Sequence, residues 1–201
     1  MILMVFYLLG LETAAAPLGR EYSATLIMAT LCGSTSIEKG HYGVLETLYL
    51  PYNQFSSLIP HVIRNLTSLK VLDLSYNDVR VRVPQTLEDL CTLRTLDLSG
   101  NTVDIELSKF EETFSRCINQ SLETLRLSNI GLVGHLPRWI ENLKSLKTLD
   151  LTYNSLYGSI PENQLAPSLQ ELDLSYNTLN GTLHDQSWPN VSKATSSNTW
   201  Q

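Results

Sequence analysis

The chain has 201 residues, 43% of them hydrophobic and 17% charged, the balance of an ordered globular protein rather than a disordered one. Its formal net charge is −6. That argues against nucleic acid as a partner, because a phosphate backbone needs a basic stripe. It contains no apolar run long enough to span a bilayer, so any membrane attachment would run through a segment this sequence does not contain.

Residues 1–16 read as a signal peptide: Ile2 to Leu11 is an uncharged apolar run, and Thr13-Ala14-Ala15-Ala16 offers a cleavage site. The run lacks a preceding Lys or Arg, so a spurious start is the rival reading. Residues 17–44 fit no pattern found later and form a degenerate N-terminal flank. Within them, Ala24 to Leu31 is a second apolar stretch, expected to lie over the first coil as a helix or strand.

From residue 45 to 188 one phrase repeats six times, starting at Leu45, Leu69, Leu93, Leu122, Leu146 and Leu169. The starts are 24, 24, 29, 24 and 23 residues apart. In L-x-x-L-x-L, the leucines at positions 1, 4 and 6 alternate as a strand with one buried face does. Leu69, Leu72 and Leu74 point inward in the second copy, and Val71, Asp73 and Ser75 outward. Position 9 is Asn in five copies (Asn53, Asn77, Asn101, Asn154, Asn177), which can hydrogen-bond the backbone of the next coil. The fourth copy has Ile130 there and Asn129 one place early, which predicts an altered turn or a missing rung. Gly134, Gly158 and Gly181, with Pro60, Pro84, Pro137 and Pro161, mark an extended segment, then a turn, then a loose helical stretch such as Pro137 to Leu143. The third copy is longer by about five residues. Its Phe110, Phe114 and Cys117 stand at i, i+4 and i+7, one face of a helix on the convex side.

A period in this range with L-x-x-L-x-L-x-x-N is the signature of a leucine-rich-repeat solenoid. The fuller phrase, LxxLxLSxNxLxGxIP, resembles the plant type: an α/β solenoid of about six coils, a parallel concave sheet and short helical or irregular convex segments. Leu90 to Ser99, Ser115-Arg116-Cys117 and Asn119 to Leu125 resemble the plant receptor-like proteins related to the ethylene-inducing xylanase receptor. The resemblance covers about residues 45–183. It implies recognition of a peptide or protein ligand, a microbial elicitor among them, outside the cell or on the outer face of the plasma membrane. Signalling would then pass to a co-receptor kinase, with no cofactor. A soluble secreted inhibitor of cell-wall-degrading enzymes is the alternative. The absent repeat caps also fit an interior slice of a longer ectodomain or a non-functional truncated gene product.

Cys91 and Cys117 lie just before the third and fourth strand runs. Coils about 5 Å apart bring such cysteines within disulfide reach, which predicts a bridge pinning the long third repeat; two buried free thiols are the alternative. Cys32 is left over, and three cysteines in different contexts make no metal site. Four N-x-S/T sequons, at Asn65, Asn119, Asn180 and Asn190, favour a secreted glycoprotein. Residues 189–201 are a polar tail, expected to be poorly ordered.

The concave face is the expected ligand surface, since its outward positions stack in columns. Position 5 reads Tyr49, Asp73, Asp97, Arg126, Asp150 and Asp173; position 8 reads Tyr52, Tyr76, Gly100, Asn129, Tyr153 and Tyr176. Position 7, from Pro51 through Ser75, Ser99, Ser128 and Thr152 to Ser175, is also read as outward. Arg126 sits between Asp97 and Asp150, either as a surface ion pair or as a ligand contact flanked by those residues and Tyr153. Tyrosines offer a flat apolar face with a polar tip, and Tyr49, Tyr52 and Tyr76 form the densest group; the plainer reading has such tyrosines packing on one another. His41, His61, His135 and His184 fall in unrelated repeat positions, so no catalytic constellation emerges. Side chains on a flat sheet do not converge on a cation.

Overall fold

The computed structural model describes residues 45–53, 59, 61–81, 87, 89–103, 107–114, 117–160, 165–180 and 193–195. Cys32, residues 1–44 and the sequon at Asn190 lie outside them.

The leucine pattern builds one parallel sheet. Its strands are β1 (Thr47–Tyr49), β2 (Val71–Asp73), β4 (Thr95–Asp97), β6 (Thr124–Arg126), β8 (Thr148–Asp150), β10 (Glu171–Asp173) and β12 (Lys193–Thr195). Neighbours pair in register throughout, so Leu48, Leu72, Leu96, Leu125, Leu149 and Leu172 stack as one buried column. The leucines at positions 1 and 6 add two more buried columns. Between these strands the chain forms short outer strands: β3 (Arg80–Val81) pairs β5 (Thr102–Val103), and β7 (Val133–Gly134), β9 (Ser155–Ser159) and β11 (Thr178–Asn180) make a second parallel sheet. Single 3-10 turns at His61–Asn65, Leu107–Phe110 and Arg138–Asn142 close the opposite side.

Three expectations need correction. Within the tail expected to be poorly ordered, residues 193–195 form a strand: β12 lies 22 residues after β10 and pairs with it, with Ala194 beside Leu172 in register. Alternation in Lys-Ala-Thr suffices for a strand when a finished coil templates it, even without a leucine. The long third repeat does not form one helix through Cys117. A 3-10 turn, α1 (Glu111–Phe114) and α2 (Ile118–Ser121) follow one another, and Cys117 is the N-cap of α2. Phe110 and Phe114 are nonetheless buried together, with ring centroids 5.9 Å apart, and Phe114 packs 4.9 Å from Trp139, whose Nε1 donates to the Leu107 carbonyl. The bridge between Cys91 and Cys117 is formed, with Cα atoms 4.9 Å apart.

The asparagines reach the preceding coil, not the next. Asn101 Nδ2 donates to the carbonyls of Leu74 and Leu98, and its Oδ1 accepts the Val79 amide. At the altered fourth copy, Asn154 accepts the amides of both Ile130 and Leu132 and so closes the turn that lacks its own asparagine. The buried polar backbone of each bend is thereby paired, as it must be away from water.

Candidate functional site

The solvent face of the main sheet brings the position-5 residues together, in the order Tyr49, Asp73, Asp97, Arg126, Asp150 and Asp173 on successive strands. The aspartates are half-buried and already engaged. Asp73 accepts the Ser75 amide and hydroxyl, Asp150 accepts those of Thr152, and Asp97 and Asp173 accept the amides of Ser99 and Ser175. This corrects the outward reading of position 7. Ser75, Ser99, Ser128, Thr152 and Ser175 are buried, because the chain bends after position 6 and tucks these hydroxyls beneath the aspartates. The recurring D-L-S therefore fixes the turn.

Arg126 is the exposed cation of this row. Its guanidinium stands 4.0 Å from the Asp97 carboxylate, which is itself only 13% exposed. Burial pushes the Asp97 carboxyl above its ordinary range and Asp73 adds to that. The Ser99 hydrogen bonds and the Arg126 charge pull it back only in part. Since folding raises this acid's pKa, its contribution is favourable below the unfolded value and is lost as pH rises through the folded one. Asp97→Asn keeps an acceptor for Ser99 and removes the charge. The variant is expected to melt at or above the parent's temperature at neutral pH, and the difference should vanish in acid. A lower melting temperature at neutral pH would show that the Arg126 contact outweighs burial.

Beside Arg126 lies a shallow depression of about 140 Å³, lined by Arg126, Thr148, Leu149, Asp150, Glu171, Leu172 and Asp173. Along the sheet's edge, position 8 places Tyr52 on Tyr76 with ring centroids 4.6 Å apart, and Tyr153 on Tyr176 at 4.0 Å. Tyr176, outside the expected set, completes the tighter pair; only its recurrence in the column could have singled it out. Tyr49 is exposed one row away, in neither pair. The Tyr153 phenol is raised above its ordinary value, first by its hydrogen bond to Tyr176.

At position 2, Lys70 pairs with Glu46, and Glu123 lies between Arg94 and Lys147 at 2.8 and 2.6 Å. These exposed pairs stitch neighbouring coils and contribute little each. Of the sequons, Asn65 and Asn180 are exposed and Asn119 is half-buried. Among the described residues no cluster of His, Cys, Asp and Glu is placed to hold a metal ion, and no helix is long and apolar enough to cross a membrane.

The sequence matches leucine-rich-repeat family models over residues 44–103, 121–143, 145–164 and 168–189, together well over half its length. The chain belongs to the leucine-rich-repeat proteins. Among solved structures, it is similar to the ectodomain of the Arabidopsis thaliana membrane receptor kinase GASSHO1/SCHENGEN3, in complex with CASPARIAN STRIP INTEGRITY FACTOR 2. That match has 34% identity and a TM-score of 0.62, covering 76% of this chain and 18% of that one. It is similar also to the Arabidopsis receptor kinase HAESA ectodomain, in complex with an IDA peptide hormone, at 29% identity and TM-score 0.62, covering 83% and 27%. A leucine-rich-repeat protein of Leptospira interrogans matches at 32% identity and TM-score 0.60, covering 74% and 36%. The chain thus spans less than two fifths of each. No curated protein matches the sequence.

Proposed function

We propose that this chain is the extracellular ligand-recognition module of a plant receptor-like protein in defence or developmental signalling, of the group related to the ethylene-inducing xylanase receptor. Its ligand is a peptide or protein, its signalling partner a co-receptor kinase, and its sequons carry glycans acquired during secretion. The observation that carries this reading is the unbroken main sheet, whose solvent face presents Arg126 between carboxylates, with exposed Tyr49 and Tyr76 on neighbouring coils. A ladder of similar small surfaces suits an extended ligand better than a single reacting group. The likeness to receptor ectodomains, one of them bound to a peptide hormone, points the same way.

The test is capture of peptides from a displayed library by the secreted chain. Substituting Arg126, Tyr49 and Tyr76 together by alanine is expected to weaken captured peptides by at least about tenfold. Undiminished capture would remove this face from the function.

A further inference from the structure

The edge of the main sheet carries a gap in its aromatic column. Every residue at position 8 leaves its strand in the left-handed region: Tyr52, Tyr76, Asn129, Tyr153 and Tyr176 at φ 51° to 58°, and Gly100 at 67°. L-residues rarely adopt this conformation. It is held here by the ladder itself, since Tyr52, Tyr76, Gly100, Asn129 and Tyr153 each donate their amide to the position-7 carbonyl of the following coil. The backbone is thus fixed and the side chains are released to solvent.

The rings fall into two rigid blocks. Tyr52 and Tyr76 are parallel to within 3°, Tyr153 and Tyr176 to within 9°. All four remain 46% to 74% exposed. Between the blocks run three coil steps, about 15 Å at strand spacing. Tyr76 leans over the first of them, because a Cβ on Gly100 would meet its ring at 2.6 Å. What remains is a slot at Asn129, walled by tyrosine on both sides. The exposed Asn129 side chain forms its floor.

Beyond the peptide-recognition reading, we propose that this slot takes one ring of a neutral, extended, β-linked oligosaccharide. Pyranose rings present flat C–H faces that pack on aromatic faces, and tyrosine adds a hydroxyl at its rim. The Asn129 amide offers both a donor and an acceptor, which matches sugar hydroxyls. The neighbouring row carries Asp97, Asp150 and Asp173 against the single Arg126, a surface that repels uronic acids. A rigid platform loses little conformational freedom on binding.

The experiment is calorimetric titration of the whole secreted chain with xylohexaose, cellohexaose and chitohexaose, alongside polygalacturonate and a lysine-rich peptide. At least one neutral hexasaccharide binds, and polygalacturonate does not. Asn129→Tyr fills the slot on a backbone that already holds tyrosine in the same column, so the fold is kept while binding falls at least about tenfold. Tyr153→Ala loses binding similarly and Tyr153→Phe retains it. The proposal is overturned if none of the three sugars binds, if Asn129→Tyr binds like the parent, or if polygalacturonate or the lysine-rich peptide is preferred. Absent sugar binding, together with peptide capture that the triple substitution abolishes, sinks the slot and leaves the broader reading standing. Sugar binding lost in Asn129→Tyr, with no peptide captured, does the reverse.

Discussion

Asn101→Ala is expected to destabilise the chain by about 2–4 kcal/mol, clearly more than Asn77→Ala. Both side chains are rungs of one ladder, but their neighbours differ. Each position-6 carbonyl normally receives two amide donors, one from its own coil's asparagine and one from the next. Leu74 O is held by both Asn77 and Asn101. Leu98 O receives Asn101, and the next coil has Ile130 where the second donor would stand. Losing Asn101 therefore strips Leu98 O of its amide donor and leaves the Val79 N–H, which donated to Oδ1, without a partner in a buried bend. Each stranded group costs about 1–3 kcal/mol. Losing Asn77 removes its own further contacts but leaves Leu50 O still bonded to Asn53 and Leu74 O to Asn101, so the difference between the two variants lies in the stripped Leu98 O. Denaturant midpoints of the two variants decide the matter; equal losses would mean that the missing fourth rung carries no consequence.

The repeat made most of this fold legible. Period, leucine spacing and position-9 asparagines are imposed by packing one coil on the next, and packing of that kind leaves a periodic trace. The seventh strand was hidden because Lys193-Ala194-Thr195 carries none of the leucines that mark the other six. Likewise the direction of the asparagine bonds depends on which neighbouring carbonyl lies nearer, and spacing alone does not encode that.

The site was legible only as columns. Sequence placed Arg126 between two aspartates, and the register puts it there. It could not tell that the carboxylates were spent on their own turns, since whether D-L-S faces solvent or folds back depends on the left-handed residue that follows. Tyrosine pairing was among the readings the sequence allowed. The break at Gly100 and Asn129 stands in the position-8 column, but the rigid stacking of the rings on either side of it emerges only once ring positions are known. A third exposed aromatic contact, His135 against Tyr157 at 4.5 Å, has no sequence signal: the two residues are 22 apart and meet only through the outer sheet.

The same one-dimensional architecture shapes the largest hydrophobic effect. Leu125→Ala should cost about 3–5 kcal/mol, the upper part of the range for such truncations. Its side chain is fully buried between Leu96 and Leu149. The ladder on both sides, and the Cys91–Cys117 bridge just before it, oppose the collapse that would close the cavity. Because each coil touches only its neighbours, a weakened central coil uncouples the two halves. Denaturation should then begin earlier and spread over a wider range, with a smaller apparent m than the parent. Leu48→Ala, in the first described strand, removes the same atoms from a coil coupled within the main sheet to β2 alone; it should shift the midpoint less and leave the slope nearly intact. Identical slopes and equal shifts for the two variants would show that the described coils unfold as one unit, in which position along the solenoid has no bearing on stability.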